Sequence, residues 1–494
     1  DMREFLEFLK NKNQLIEVDT ELNAARGTTE LQPLMRHIHN INGPALMLNN
    51  LSGYNHPDIP VLFNPYGTRE RTSMILGKER PLEGKLKFTE VLTNRSLWIK
   101  PNMIDRAEAT CKQVIIEKKD IDLSQQLPHV WFGKEGPSYI TNAVVISKDP
   151  ETGQLNTGCY RLTQLWNASH PLGEEYSEEE QKKCLAIFAF WNPPGNDIGR
   201  QWAKAQEMNK PLELAIACIV DPAVQIAAAT SITYGEDEMD FAGGLRGEGV
   251  DVVQCETVDL AVPATAEWVI EGTFLPERDI AIGPHSNPVG YYDDAQILPL
   301  IEVDCITHRK DPIWYATMEM EPPFDHNYMA CMPLEGEVLS DLQTKIPEVQ
   351  DVVVTPNLSY FVQLSVDGEQ KPRADFGKEV LQAVWGANGR WGPTAKLVVV
   401  VGPDVNPYDL SEIEWAIQTR VQPQTDTIIN EAGQAFLMDP SAVKDPGHGI
   451  ALVSEQVGID ATIKIPERFE SYPKYSNAEP EDVIAIAEKL QGVL

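Results

Sequence analysis

Residues 265–274 read TAEWVIEGTF, and residues 300–308 read LIEVDCITH. Both stretches are rich in β-branched and aromatic residues, which favour the extended backbone of a strand. Four more stretches of this kind are ITNAVVIS at 140–147, LAIFAFW at 185–191, LELAIACIV at 212–220 and VDVVQCETVDL at 250–260. Turns rich in Gly, Pro and Asp separate them. So many strands, interrupted by helical patterns only at 197–208 and 237–245, predict a closed or split β-barrel.

The segments on either side of this region mix helices with strands. Residues 1–120 combine helical periodicity with short apolar strands, which predicts a small α/β domain. Residues 326–494 alternate helical and strand patterns, which predicts a second α/β domain. We therefore expect an α/β (α+β) multidomain protein, with the barrel over 121–325. The last domain is expected to serve oligomerisation and to end in a helix over 480–493 that packs on a neighbouring subunit.

Composition excludes several classes of protein. The chain of 494 residues carries a net charge of −33, which repels nucleic acid and anionic lipid, so neither is expected as a partner. No segment approaches the roughly 18 consecutive apolar residues that span a bilayer. The seven cysteines are scattered and form no CxxC pair, which argues against a disulfide framework or a zinc site. A soluble, cytoplasmic protein is expected.

Three polar segments could carry chemistry. The first offers Asn156 and Arg161, the second Asp197 and the third Glu238. Acidic residues at a helix start commonly cap the helix or complement its dipole. A carboxylate that points into a cavity would instead suit a hard divalent cation bridging to phosphate. The segments are TGQLNTGCYR at 152–161, NPPGNDIGRQW at 192–202 and SITYGEDEMDFAGGLR at 231–246.

Five motifs follow one another along the chain: LNTGCYR at 155–161, PPGND at 193–197, DEMDFAGGLRG at 237–247, VPATAEWVIEG at 262–272 and GPHSNPVGYY at 283–292. In this order they resemble the UbiD family of prenylated-flavin decarboxylases, in its aromatic acid decarboxylase and phenylphosphate carboxylase-like branch. A later stretch, SEIEWAIQTRVQP at 411–423, and the three-part organisation also match, so the resemblance covers nearly the whole chain.

The resemblance implies that the barrel binds prenylated FMN, with Mn²⁺, or Mg²⁺ or Fe²⁺ in its place, bridging to the phosphate. K⁺ or Na⁺ is a further candidate ion. Asn156 and Glu238 match metal ligands of the family, and Asp197 stands where the family usually has a histidine. The implied cofactor-binding residues are Asn156, Gly158, Cys159, Tyr160, Arg161, Phe190, Trp191, Asp197 and Glu238.

The resemblance also implies a catalytic group. Arg161 matches the arginine that holds the substrate carboxylate. In the family an acid in the GPxGD/E segment protonates the substrate carbon, but here Asn287 occupies the place of that acid and Ile282 the place of its partner carboxylate. Neither side chain moves a proton usefully. His326 is the preferred replacement, because an imidazole titrates near neutral pH. The predicted catalytic residues are Arg161, Asn287, His326 and His285, with Asp293 and Asp294 as further candidates.

The function implied is reversible, non-oxidative carboxylation or decarboxylation of a small aromatic acid. A phenolic acid is favoured because its hydroxyl supplies electron density to the ring. A homodimer or homohexamer is expected, loaded by a flavin prenyltransferase. Three alternatives remain open at this point: a subunit of a hetero-oligomeric, phenylphosphate carboxylase-type complex with little activity alone, a noncatalytic structural or regulatory subunit, and an FMN-binding reductase.

Overall fold

The computed structural model of the chain describes residues 1–166, 176–189, 196–293, 295–389, 391–444, 451–465, 468, 470–473, 476, 478 and 480–490. Three of the predicted candidates, Phe190, Trp191 and Asp294, lie outside these residues. Within the part that is described, no helix is both long enough and apolar enough to cross a membrane.

The first layer is a small sheet with helices packed on it. The sheet has the order β1-β3-β5-β18, and its last strand, β18 (Trp314–Tyr315), comes from residues far along the chain. The remaining elements of this layer are α1 (Met2–Asn11), β1 (Leu15–Val18), β2 (Leu22–Asn23), α2 (Leu31–Asn40), β3 (Ala45–Leu48), β4 (Leu51–Ser52), β5 (Val61–Phe63), α3 (Arg69–Met74) and α4 (Pro81–Thr93).

The second layer is a barrel, as the sequence predicts. Its strands are β8 (Ser138–Lys148), β9 (Leu155–Gln164), β10 (Cys184–Ile187), β11 (Glu213–Cys218), β14 (Trp268–Ile282) and β17 (Gln296–His308). They follow the order β10-β9-β8-β11-β14-β17, and β10 also pairs with β17, which closes the ring. β8 is buried almost throughout, because neighbouring layers cover the outside of the barrel as its side chains fill the inside.

Short elements surround the barrel. They are β6 (Asn102–Met103), β7 (Val114–Glu117), α5 (Leu123–Gln126), α6 (Glu178–Lys183), α7 (Asp197–Glu207), α8 (Pro222–Ala228), α9 (Glu238–Arg246), β12 (Asp251–Gln254), β13 (Ala261–Pro263), β15 (His285–Ser286) and β16 (Tyr292–Asp293). The strand predicted over 250–260 is shorter than expected and lies outside the barrel. Just beyond its end, the backbone N–H groups of Glu256 and Thr257 donate to the buried Glu271 carboxylate and not to a neighbouring strand.

The third layer is an α/β domain with its own apolar cores. Its sheet has the order β19-β20-β21-β24-β22, with β23 beside β24. Its elements are α10 (Asp325–Lys345), β19 (Val349–Val354), β20 (Ser359–Leu364), α11 (Phe376–Trp385), β21 (Leu397–Val401), α12 (Leu410–Arg420), α13 (Pro423–Asp426), β22 (Thr427–Gln434), β23 (Val443–Lys444), β24 (Ala451–Asp460) and α14 (Pro480–Lys489).

Helix α10 corrects the sequence prediction. The pattern predicts a helix only from Gly336, whereas the helix begins at Asp325 and contains Pro333. Proline removes one helical hydrogen bond and normally ends a helix. Here Met329, Met332 and Leu334 are buried beside it, so tertiary packing overrides the local preference. His326, which was expected in a loop, therefore lies in the first turn of this helix.

A buried cation joins the first layer to the third. The Lys85 ammonium in α4 lies 2.5 Å from an Asp351 carboxylate oxygen and 3.3 Å from a Glu335 oxygen, and it donates to the Val352 carbonyl at 2.6 Å. Arg69 in α3 also contacts Glu335 and donates to a carbonyl of β19. Two carboxylates thus share two cations in a place with almost no access to water.

We expect Lys85→Ala to lower the free energy of unfolding by about 3 to 5 kcal/mol, because it leaves two buried carboxylates with less positive charge. Denaturant unfolding of the two variants Lys85→Ala and Lys87→Ala measures the difference. Lys87 lies on the same helix but pairs with Glu90 near the surface, so its removal should change little. Equal effects of the two substitutions would contradict this account of the interface.

Candidate active site

A cavity of about 760 Å³ lies between the barrel and the third layer. This volume falls in the range of small-molecule and cofactor sites. Strand β9 and the first turns of α7 and α9 line its barrel side, and α10 lines the opposite side. Among the residues that face the cavity are Asn156, Asp197, Glu238, Glu319, His326 and Trp391.

The three predicted metal ligands line one end of this cavity. The Asn156 amide donates to the Tyr160 hydroxyl at 3.5 Å, and that hydroxyl also accepts the Ile198 N–H at 3.3 Å. Burial raises the pKa of Tyr160, and the charges of Asp197 and Glu238 add to the rise. Asn156 is therefore in contact with the Tyr160 hydroxyl, and Asp197 and Glu238 line the same cavity.

The local folding explains why Glu238 reaches the cavity when its acidic neighbours do not. Asp237 caps α9 by accepting the Met239 N–H, and Glu236 pairs with Arg95. Glu238 is buried and accepts the Thr157 N–H of β9 at 3.0 Å. Burial, with Asp237 and Asp197 nearby, raises its pKa to about 8. A cation beside this carboxylate would offset the cost of burying its charge.

The local fold also explains the positions of Asp197 and Gly158 at the cavity. Asn196, and not Asp197, caps α7 by accepting the Gly199 N–H, which corrects the expectation that Asp197 is the capping residue. The Asp197 carboxylate lies 3.3 Å from Arg200 at the cavity edge. A Cβ at Gly158 would lie 2.4 Å from the Tyr160 ring, so glycine lets the ring lie over this strand.

The donor chemistry suits a hard cation. Over the described ranges, no group of three His, Cys, Asp or Glu side chains could hold a metal without other ligands. The candidate set consists of two carboxylates and the Asn156 amide, and such oxygen ligands are those that Mg²⁺ and Mn²⁺ favour. These residues fit a divalent metal, provided that the amide oxygen turns toward it.

Arg161 lies further along β9, and only 9% of its side chain is exposed. Its guanidinium forms an ion pair with Glu319 and donates to the Ser286 carbonyl at 2.7 Å. It also lies over the rings of Tyr139 and Phe188, at 5.5 Å and 5.7 Å from their centroids. These contacts fix the guanidinium in one place.

Glu319 connects this arginine to the cavity. Its carboxylate lies 3.2 Å from the Nδ1 atom of His326. Burial works to raise the pKa of Glu319, but Arg161 and His326 outweigh it and hold the pKa below its usual range. Glu319 and His326 therefore bring a carboxylate and an imidazole to the cavity wall, with the Arg161 guanidinium paired to Glu319 behind it.

The other predicted catalytic residues have structural contacts. The Asn287 side-chain oxygen accepts the N–H groups of Val289 and Tyr291, and its amide donates to Asp293 at 3.1 Å. It therefore shapes the turn before β16. Ile282 is fully buried in the barrel core. His285 lies 3.6 Å from Asp293, and burial lowers its pKa to about 3, so it is neutral at ordinary pH.

The sequence motifs did not reveal two buried carboxylates near Arg161. One is Glu319, which follows β18 in the stretch MEMEPP at 318–323, where Met318 and Met320 alternate with Glu319 and Glu321. The other is Glu135, which precedes β8. An acidic residue inside an apolar stretch was the signal available for Glu319.

Comparisons with known proteins agree with this geometry. A family model described as the 3-octaprenyl-4-hydroxybenzoate carboxy-lyase Rift-related domain matches residues 102–322, and the N-terminal and C-terminal domain models of that enzyme match 6–85 and 327–461. An uncharacterized protein of Archaeoglobus fulgidus is 31% identical over 481 residues, which cover 94% of this chain and 92% of that protein.

Two solved structures are similar over nearly their whole length. The UbiD-class enzyme HmfF from Pelotomaculum thermopropionicum, in complex with FMN, is 28% identical with a TM-score of 0.81, over 97% of this chain and 98% of that one. The vanillic acid decarboxylase of Sedimentibacter hydroxybenzoicus, in its open form with a truncated ShVdcD, is 27% identical with a TM-score of 0.83, over 100% and 98%.

We expect Arg161→Met to cost about 3 to 5 kcal/mol of stability in the metal-free protein, because it leaves Glu319 and Glu135 buried without their cation. The folded-state pKa of Glu319 would then rise above its unfolded value, so the loss should grow as pH rises from about 5 to about 8. Urea unfolding at several pH values measures it.

The double variant Arg161→Met with Glu319→Gln should recover part of this loss, and the pH dependence should weaken. Arg106→Met, which breaks a more exposed pair with Glu256, is the control and should have a small effect. A loss that does not change with pH would refute the role of Arg161 as the counter-charge.

Proposed function

Because the chain belongs to the UbiD family, whose members are prenylated-FMN-dependent carboxy-lyases, we propose that it catalyses the reversible, non-oxidative decarboxylation of an aromatic acid. A phenolic acid is the favoured substrate. The observation that carries the proposal is the pair of Arg161 with Glu319, whose carboxylate reaches His326 at the wall of the cavity that Asn156, Asp197 and Glu238 also line. A buried guanidinium beside the cavity and a set of oxygen ligands in it could thus serve a carboxylate and a metal-bound phosphate.

Prenylated FMN would lie between these two ends. Asn156, Glu238 and Asp197 would hold a divalent metal against its phosphate, which offsets phosphate charge inside an acidic protein. An aspartate at position 197, in place of the family's histidine, makes the set all-oxygen and favours Mn²⁺ or Mg²⁺. When bound, the flavin supplies the electron sink that lets CO₂ leave.

The residues of the chain would handle the carboxylate and the proton. The Arg161 guanidinium presents N–H groups to the substrate carboxylate. A second carboxylate arriving beside Glu319 raises the affinity of Glu319 for a proton. Glu319, in hydrogen-bond range of His326, would then hold a proton and place it on the ring carbon that loses CO₂. The balance is one proton taken up for each CO₂ released, and carboxylation runs the same steps backwards.

The exposed apolar side chains of α14 support the expected homo-oligomer. Val483, Ile484 and Ile486 are each more than half exposed, which is unusual for aliphatic residues on a short helix. We propose that this helix packs on a neighbouring subunit, as a dimer or a hexamer would allow.

The first test concerns the cofactor. Protein co-produced with a flavin prenyltransferase is expected to carry prenylated FMN and about one divalent ion, both measured by mass spectrometry. Glu238→Gln and Asn156→Ala should lose at least about tenfold in metal content, and flavin with it. Glu236→Gln, two positions away and paired with Arg95, is the matched control and should retain both.

A different cofactor content of the purified protein would indicate a different function. Plain FMN in the wild-type protein, together with NAD(P)H oxidation, would indicate the reductase. A site that stays empty in every preparation would indicate a subunit that needs a partner chain.

The second test concerns the residues that transfer the proton, Glu319 and His326. Glu319→Gln and His326→Gln should lower CO₂ release from a panel of hydroxybenzoic acids by about 100-fold or more, with flavin content unchanged, since both remove a proton-transfer group. Glu321→Gln is the matched control, because Glu321 lies in the same stretch but is exposed and pairs with Arg36. Full activity in Glu319→Gln would refute the assignment of the acid.

A further inference from the structure

A second cavity, of about 400 Å³, lies on the other side of Glu319. Helix α2 contributes Gln32 and Arg36 to its wall, and Ser286 and Tyr292 contribute from the turn around β15 and β16. Glu319 lines both cavities, so a wall one side chain thick separates them at this point. The second cavity could hold several water molecules, at about 30 Å³ for each.

Glu135 lies behind Ser286 and is fully enclosed. One of its carboxylate oxygens accepts the Ser286 hydroxyl at 2.5 Å and the Ser286 N–H at 3.3 Å. The Ser286 carbonyl accepts from Arg161, so a single residue contacts both the carboxylate and the guanidinium. Because Ser286 also lines the second cavity, its hydroxyl connects the buried Glu135 to that space.

The groups around Glu135 allow it to keep a proton. Burial raises its pKa to about 7, although Arg161 and the two Ser286 hydrogen bonds oppose the rise and the Glu319 charge adds to it. Tyr139 from β8 and the neutral His285 from β15 lie around the same guanidinium. At neutral pH this carboxyl group is therefore protonated in a large fraction of molecules.

The proposed reaction creates a need for such a group. Each decarboxylation transfers one proton from the acid to carbon, and the acid has to regain it from solvent. The first cavity is filled by cofactor and substrate during turnover, so the free approach to Glu319 is from the second cavity.

We infer that Glu135 stores the proton that reloads Glu319, and that this proton passes through the Ser286 hydroxyl and the second cavity. For each CO₂ released, Glu135 gives up one proton to Glu319 and takes one from solvent through the same cavity. Glu135 does not touch the substrate and acts through Glu319. The inference rests on the proposed function.

Infrared spectroscopy of the purified protein provides the first test and needs no substrate. The carbonyl band of a protonated carboxyl group should titrate near neutral pH in the wild type. Glu238, whose pKa is also raised, contributes to such a band. The Glu135 component should disappear in Glu135→Gln, and in Glu319→Gln it should titrate at lower pH, because the Glu319 charge no longer raises the pKa of Glu135. A wild type without this band, or a band unchanged in Glu135→Gln, would overturn the inference.

The rate of CO₂ release by the loaded enzyme at several pH values provides the second test. In Glu135→Gln and Ser286→Ala, CO₂ release near neutral pH should be slower by roughly tenfold or more, and the slowing should lessen as pH falls, because solvent then protonates Glu319 directly. Glu135→Asp should restore part of the rate. Slowing by the same factor at every pH would mean that Glu135 only supports the structure.

The two proposals fail in different ways. If the wild-type enzyme loaded with cofactor releases no CO₂ from any aromatic acid, the proposed function is wrong, and the relay is wrong with it, whatever the infrared band shows. If CO₂ is released but Glu135→Gln releases it at the wild-type rate near neutral pH, the proposed function stands and the relay alone is refuted.

Discussion

The positive charge of Arg161 has to be balanced by protein groups, because burial removes most of the water around it. Glu319 neutralises it directly, Glu135 lies close enough to share it, and the Ser286 carbonyl accepts one of its N–H groups. Those contacts bring together β9, the turn after β14 and the segment before α10. The wall of the main cavity is therefore built around a single ion pair.

The same charge balance explains how the chain does without acidic residues at 282 and 287. The carboxylates near the guanidinium come from elsewhere in the sequence, one before the barrel and one after it. Ile282 then serves as an apolar residue of the barrel core, and Asn287 forms a turn. Burial of two carboxylates beside one arginine gives them different proton affinities, since Glu319 forms the direct pair and Glu135 does not.

The sequence predicts most of the barrel, because most of its long strands are apolar and bounded by turns, whereas β9 reads LNTGCYRLTQ and is largely polar. The resemblance to the family also pairs Asn156 with Glu238 as metal ligands, and both residues line the cavity. The sequence does not predict Glu135 and Glu319, because their importance arises only from distance in space. Nor does it predict the start of α10, where buried contacts overcome the effect of Pro333.

The strand β18 has a consequence for synthesis of the chain. The first sheet is completed only when Trp314 and Tyr315 pair with β5. A ribosome that has made the first hundred residues has therefore released a sheet with an open edge and part of its apolar core uncovered. That edge stays without its β18 partner until the barrel has been translated, and an unpaired strand edge is a place where a nascent chain can aggregate.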